Sequence, residues 1–500
     1  MLRKIRILLS VLFFFMITLL FLDFTGSIHE WMGWMAKIQF LPALLALNLG
    51  VVLFLLVMTL LLGRIYCSVV CPLGVMQDIV SWINGQRKKQ RFRFTYSPAR
   101  TTLRVTVLAV FIIALIAGIG SVVALLAPYS SYGRIASNLL APVYQYGNNL
   151  LAYMAERMDS YAFYETEIWI KSLPTFILAF LTFIVIAILA WRNGRTYCNT
   201  ICPVGTILGF MSKYSLFRPV IDDKKCKECG LCTKKCKASC IDFKSHKIDY
   251  TRCVACMDCI DICKHGAVHY QMRKYNAKAT ASVTSTEKEI TDKSRRSFLT
   301  GTAMAVTAAT LKAQEMKVDG GLATIEKKKI PNRLTKIVPP GSLSAQNFAQ
   351  HCTACQLCVS VCPNGVLRPS TNLEKFMQPE MSYERGYCRP ECTKCSDVCP
   401  AGAIRPITRA DKSATQIGHA VWIKSNCIPL TDKVECGNCA RHCPTGAISM
   451  IPSDASNPES LKIPAIDIER CIGCGACENL CPSRPFSAIY VEGHERHRII

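Results

Sequence analysis

One cysteine pattern occurs six times in this chain, and it limits what the chain can become. Cys226, Cys229, Cys232 and Cys236 run C-x2-C-x2-C-x3-C. Cys253, Cys256, Cys259 and Cys263 repeat it, as do Cys352, Cys355, Cys358 and Cys362, and Cys471, Cys474, Cys477 and Cys481. Two groups are stretched at the front. Cys388, Cys392, Cys395 and Cys399 open with C-x3-C, and Cys427, Cys436, Cys439 and Cys443 open with C-x8-C. Three thiolates two residues apart can wrap a loop around three corners of a 4Fe–4S cluster, while a fourth leaves the loop for a second cluster. Zinc would need two separated pairs. Disulfides fit worse, because the total of 29 cysteines is odd and bridges this close in sequence are strained. The spacing predicts six 4Fe–4S clusters.

After the fourth cysteine comes a turn and an apolar step: Cys263 to Gly266-Ala-Val, Cys399 to Gly402-Ala-Ile, Cys443 to Gly446-Ala-Ile. Glycine frees the turn and the β-branched residue begins a strand. Motif for motif, this resembles the bacterial two-cluster ferredoxins. The resemblance implies interlocked pairs. Cys226, Cys229, Cys232 and Cys263 would hold one cluster, and Cys253, Cys256, Cys259 and Cys236 its neighbour. The last four groups resemble four-cluster ferredoxin subunits, in which the first motif pairs with the fourth and the second with the third. Cys481 would then complete the cluster of Cys352, and Cys443 that of Cys388. Lys237 and Lys264 stand where ferredoxins of this type have proline, and a nearby cation is expected to raise the potentials there. Cys240 is left over, either as a packed bystander thiol or as a substitute for Cys236.

Half of the composition is hydrophobic and the mean hydropathy is +0.23. Apolar runs cover about residues 5–22, 38–62, 103–127 and 174–191. A helix of about 20 residues crosses a bilayer, so four transmembrane helices are predicted. Basic residues precede the first run and crowd the segment between the second and third, where no acid occurs from Ile79 to Ala155. By the positive-inside rule both ends of this half face the cytoplasm. The segments around His29 and from Pro128 to Ser172 face outward.

The second and fourth runs end in one phrase, G-R-x-Y-C-x3-C-P-x-G. It begins at Gly63 and again 131 residues later at Gly194. Its cysteines are Cys67 and Cys71, then Cys198 and Cys202. The membrane half is therefore internally duplicated, and four thiols can converge at one depth. They read as redox thiols, either a further metal site or a dithiol relay beside Arg64 or Arg195, or else as structural thiols at tight helix ends. Four spans, this phrase twice and a trailing two-cluster module resemble the NapH-type membrane polyferredoxins over about residues 1–272. The resemblance implies electron transfer from the quinol pool.

Residues 273–340 form a polar linker. Within it, Ser294-Arg295-Arg296-Ser297-Phe298-Leu299 and the uncharged run Thr300–Leu311 resemble a twin-arginine export signal. Residues 341–500 resemble NapG-type four-cluster ferredoxins, so the chain looks like a fusion of two subunits. The expected fold class is a multi-domain membrane protein. A four-helix transmembrane domain over 1–220 precedes α+β ferredoxin-like domains, a two-cluster one at 221–272 and a four-cluster one at 341–500.

The expected location is a bacterial inner membrane, with the two-cluster domain cytoplasmic and the four-cluster domain periplasmic. The expected partners are membrane lipid, the quinone pool and a redox protein, whether reductase or cytochrome. The alternative class is a membrane ferredoxin acting in assembly or redox regulation of another respiratory enzyme. Either way the chain is an electron carrier or quinol dehydrogenase component, not a stand-alone catalyst: no phosphate-cradling loop, nicotinamide or flavin fingerprint is present. No histidine lies within the four runs, which argues against histidine-ligated b-haem. His29 and Glu30 are candidates to take a quinol proton; Trp31, Trp34 and Lys37 beside them also fit an interfacial belt. The formal charge of +24 needs no nucleic acid, since six oxidised clusters on cysteine thiolates bring it to about +12.

Overall fold

The computed structural model describes residues 1–23, 25–87, 93–273 and 326–500. The twin-arginine-like segment lies outside the described residues. Helix Leu2–Leu22 contains the first expected span and helix Leu173–Asn193 the fourth. Each has 21 residues, about 30 Å of rise, and among the described residues these two are long and apolar enough to cross a membrane.

The other two expected spans are not single helices. The run 38–62 breaks into Phe40–Leu45 and Leu49–Leu62, and the run 103–127 into Thr101–Ile116 and Gly120–Leu126. Leu47 turns left-handed at φ +54°, and the Asn48 side-chain Oδ1 then accepts the Val51 N–H at 3.3 Å, capping a new helix. Gly118, at φ +72°, makes the second break.

The cysteine-rich regions are α+β, built from short helices and two-stranded sheets. Phe217–Ile221 pairs antiparallel with Val268–Met272 to close the first region. Thr415–Trp422 with Ile489–Ile499, and Ile448–Pro452 with Lys462–Ile466, frame the second. The turn glycines Gly266, Gly402 and Gly446 all have positive φ. Strands follow two of them, at Val268 and Ile448, but none begins at Ile404.

The two regions sit at opposite ends of the same helices. Arg3, at the start of Leu2–Leu22, pairs with Asp258 and Asp261 of the first region, each at 2.8 Å. Just past the other end of that helix, the Thr25 carbonyl accepts the Lys394 ammonium of the second region at 2.8 Å. The remaining helices agree. Gly63 ends Leu49–Leu62 against Ala255, while Ala46, before that helix, lies against Gly402. Arg104, near the start of Thr101–Ile116, bonds Thr251, while Gly118 beyond it faces Gln350. One continuous apolar core holds Cys256 of the first region, Cys67, Cys71, Cys198 and Cys202, and Cys355 and Cys358 of the second.

Candidate metal centres and the buried thiols

The cysteines gather into sets around cavities. In the first region, Cys226, Cys229, Cys232 and Cys263 line one cavity of about 360 Å³; Cys236, Cys253, Cys256 and Cys259 line another of about 360 Å³. This is the interlocked arrangement that the ferredoxin resemblance implied. In the second region Cys362 joins Cys388, Cys392 and Cys395 around about 400 Å³. Cys481 joins Cys427, Cys436 and Cys439 around about 380 Å³, and Cys443 joins Cys471, Cys474 and Cys477 around about 280 Å³. Cys399 is the electrostatic neighbour of Cys352, Cys355 and Cys358.

These sets correct the expected pairing in the second region. The first motif interlocks with the second and the third with the fourth, so Cys399, not Cys481, completes the set of Cys352. Consecutive units prefer to be neighbours, and the short connection between Cys362 and Cys388 lets the second motif fold back on the first.

The sets fit a cluster better than a single ion. Among the described residues no three of Cys, His, Asp and Glu lie close enough to hold one metal ion. A mononuclear zinc would draw its thiolates to about 2.3 Å from one point. Backbone N–H groups already aim at sulfur: Ala354 at Cys352 (3.4 Å), Ala447 at Cys443 (3.3 Å) and Ala488 at Cys481 (3.3 Å). Such donors suit thiolates carrying negative charge.

The four unstretched motifs share one backbone device. The residues flanking the second cysteine are left-handed in each: Glu228 and Gly230, Ala255 and Met257, Ala354 and Gln356, Gly473 and Gly475. For the non-glycine residues this costs about 1 kcal/mol or more apiece, strain of a kind stored at functional loops. It curls three sulfurs around one space.

Two lysines expected near clusters have different surroundings. The Lys237 ammonium is buried between Asp78 at 3.0 Å and Asp258 at 3.1 Å, so its charge is already matched, while Lys264 is exposed. Cys240 is buried with its sulfur 3.6 Å from that of Cys236, against the same cavity.

The duplicated phrase folds as two hairpins that turn back into the bundle. Helices Ile65–Val69 and Thr196–Thr200 lead to Cys71 and Cys202, from which Pro72–Gly85 and Pro203–Ser212 run back. Proline suits the first turn of each returning helix. Every letter of the phrase has a task. Gly63 and Gly194, at φ +72° and +71°, seat the ligand loops of the first region, the former near Ala255 and the latter against Lys237. The arginines cross over. Arg195 donates to the Cys67 carbonyl at 2.7 Å, and Arg64 donates to the Cys198 carbonyl at 3.3 Å. A side chain at Gly74 or Gly205 would strike the arginine of the opposite half, 2.5 Å and 2.8 Å away. The tyrosines reach the far side: Tyr66 donates to Gln39 at 3.0 Å and Tyr197 to the Leu126 carbonyl at 3.3 Å. The four thiols lie between, all buried.

At the far end His29 is buried at the side chain (6% exposed) and its Nδ1 lies 3.0 Å from Asp23. Its Nε2 is buried with no partner. Burial raises the Asp23 carboxyl, but bonds from His29, Thr25 and the Gly26 N–H outweigh it and hold it well below the usual carboxylate range. Glu30, Trp31 and Trp34 are exposed.

The sequence reading missed Asp23, Asp78 and Gln77. Asp78 accepts Arg195 at 2.7 Å, Arg6 at 3.1 Å and Lys237 at 3.0 Å. A signal was available, since it is the sole acid between Glu30 and Glu156.

Comparison with known proteins finds iron–sulfur family models over the duplicated phrase and over the second region. A family model described as a 4Fe–4S binding domain matches residues 44–90 and 173–221, and a 4Fe–4S dicluster domain matches 351–417 and 434–484. The second pair of matches divides the four motifs as the cavities do. The chain therefore carries iron–sulfur domains of ferredoxin type. Within that class it is similar to the NapH-type ferredoxin proteins. It is 27% identical to the ferredoxin-type protein NapH of Haemophilus influenzae over 242 residues, 47% of this chain and 70% of that protein. It is 32% identical over 102 residues to uncharacterized protein MJ0749 of Methanocaldococcus jannaschii, 20% of this chain. The match spans 40% of that relative's length. Over 58 residues it is 38% identical to pyruvate synthase subunit PorD of Methanothermobacter marburgensis, 12% of this chain and 70% of that subunit. No solved structure matches the chain.

Proposed function

We propose that this chain is a membrane-spanning iron–sulfur electron carrier. It takes electrons from the quinol pool and delivers them to a partner redox protein through six 4Fe–4S clusters, two in the first ferredoxin-like region and four in the second. The reading is carried by the placement of the two regions at opposite ends of the same helices, about 30 Å of rise apart. The basic segment between Trp82 and Arg100 supports a cytoplasmic first region and a second region on the outer side. A bound 4Fe–4S cluster supplies reversible one-electron redox chemistry.

The residues prepare quinol oxidation at the outer end. Quinol loses two electrons, which the redox centres of the second region would take one at a time, and two protons, one to His29 Nε2 and the other to the outer solvent. His29 Nε2 is the acceptor for the first proton; Asp23 orients the ring through Nδ1 and stabilises the imidazolium. The Thr25–Lys394 bond ties this corner to the loop between Cys392 and Cys395. Exposed Trp31 and Trp34 anchor it at the lipid surface.

The test is quinol-dependent bleaching of cluster absorbance in membranes holding the full chain. His29→Gln and Asp23→Asn should slow it by about 10²-fold or more, within the range for losing a positioned base. Unchanged rates in both variants would remove His29 from this role. No reduction by quinol in the unaltered protein would favour assembly or regulation instead.

A further inference from the structure

We propose that Lys171, Lys412 and Lys328 act as fixed counter-cations for the clusters of the second region, and that they raise the potentials at which those clusters accept electrons. The inference rests on the electron-transfer reading above and adds the residues that set its driving force.

Each lysine reaches a ligand loop from outside it. Lys171 precedes helix Leu173–Asn193 of the membrane half, and its ammonium donates to the Val359 carbonyl at 2.7 Å. Lys412 lies on helix Arg409–Ala414 and donates to the carbonyls of Arg389, at 2.6 Å, and Cys392. Lys328 donates to the carbonyls of Glu478, at 2.5 Å, and Asn479, at 2.6 Å. Two of these positions are equivalent. Val359 directly follows Cys358 and Glu478 directly follows Cys477, the third cysteine of each motif. From there the chain runs on to the fourth cysteine, which belongs to the interlocked neighbour. Cys358 and Cys362 are electrostatic neighbours of Lys171, and Cys477 and Cys481 of Lys328. Each interlocked pair thus has one lysine at its junction.

Charge gives these lysines their effect. Lys412 is buried, and Lys171 and Lys328 are half-buried; Lys328 turns inward while Lys327 and Lys329 on either side are exposed. Among the described residues none of the three forms an ion pair with a carboxylate. The Glu478 carboxylate near Lys328 is taken by Arg333 at 2.5 Å. Lys237 of the first region, by contrast, is matched by Asp78 and Asp258. A cation drawn out of water needs negative charge beside it. The thiolates supply it, and Cys388 and Cys395 stand beside Lys412. Burial pushes the ammoniums of Lys171 and Lys328 down to about 8, so both stay charged at pH 7. Adding one electron to an oxidised core with four thiolates takes the net charge from about −2 to about −3. A fixed positive charge stabilises the second state more than the first, and the potential rises.

The distribution is uneven. The set of Cys362, Cys388, Cys392 and Cys395 borders both Lys171 and Lys412. Its loop also carries Lys394, which the Thr25 carbonyl ties to the His29 corner. The set joined to the proposed quinol base is therefore the one with two cations, and the one best suited to accept an electron from a mild reductant. Quinol gives up that electron, and no bond forms or breaks in the chain. Lys171 belongs to the membrane half, so docking of the second region on the bundle supplies part of the charge.

The full chain, purified without oxygen, is titrated with soluble redox mediators while EPR follows the reduced sites. Glutamine keeps a donor for the carbonyls but removes the charge; arginine keeps both. Lys171→Gln, Lys412→Gln and Lys328→Gln are each expected to lower the ratio of reduced to oxidised site at a fixed potential by about tenfold. The signals affected by Lys328→Gln should differ from those affected by the other two. The arginine variants should leave the ratios unchanged. Unchanged potentials in the glutamine variants overturn the proposal. Equal losses in the glutamine and arginine variants also overturn it, and would mark the lysines as loop supports. Should these variants fold poorly, a measurement without any lysine substitution remains: the highest-potential signal of the second region should be the one lost in Cys388→Ser, and its survival would overturn the assignment. Quinol takes no part in these titrations. Shifts as expected in a protein that quinol cannot reduce would leave the proposal standing and break the quinol reading, whereas a second region without iron would overturn both.

Discussion

The two ferredoxin-like regions dock on the same helices by opposite physical means. The first is held by buried charge: Asp78 gathers Arg6, Arg195 and Lys237, and Lys237 passes the link on to Asp258, which Arg3 also holds. The second is held by close backbone packing. Gly133 meets the Cys355 carbonyl, Gly402 meets Ala46, and Gly120 lies under Gln378. Its rim adds Arg368 and Arg385 over the Trp169 ring, each 4.6 Å from the centroid, and an exposed Arg385–Glu167 pair. A charge network tolerates no lost member, because the partners stay buried and unpaired. A packed seam tolerates no added volume. Each seam should therefore fail to its own kind of substitution.

The largest effect is expected at Asp78. Asp78→Asn leaves three buried cations around a neutral amide and should cost about 3–5 kcal/mol, read as a lower melting temperature with loss of the first region's cluster signals. Equal loss from both regions would break the distinction. Next comes Gly133→Ala. Its Cβ would sit 2.4 Å from the Cys355 carbonyl and 2.9 Å from the Phe21 ring, and helix backbone cannot yield freely. Overpacking of this kind costs about 1–3 kcal/mol, expected as faster proteolysis of the second region with the first protected.

The smallest effect is a pH dependence confined to the second region. Burial and neighbouring His494 push the His497 ring down to about 4. The native state thus prefers the neutral ring. Its contribution is complete above about pH 6.5, where the unfolded ring is also neutral, and is lost as pH falls from there towards 4, by at most about 3 kcal/mol. Trp422, on the strand paired with Ile489–Ile499, gives the fluorescence to follow during unfolding. His497→Gln should flatten the slope, and a slope that persists would assign it to another group.

The grouping of the cysteines was legible because it is local. Three thiols within seven residues can only curl around a common centre, and the same left-handed pair recurs in all four unstretched motifs. The fourth ligand is not local, so the order of interlocking in the second region was misassigned. The breaks at Leu47 and Gly118 were hidden for a related reason. Both lie in runs apolar enough to read as unbroken spans, and their other role is to meet the second region. Asp23 was invisible because its importance comes from folding back on His29.

The sequence alone determined that the chain carries iron–sulfur sites, a duplicated phrase at the ends of two apolar runs and a basic segment between two of those runs. Those properties depend on spacing, repetition and composition, which are written along the chain. Only tertiary structure decided which motif completes which site, that the two ferredoxin-like regions face each other across the bundle, and that the phrase's arginines cross between halves to stand beside four buried thiols. Each of these depends on atoms far apart in sequence becoming neighbours, where burial turns an ordinary charge into one that must be matched.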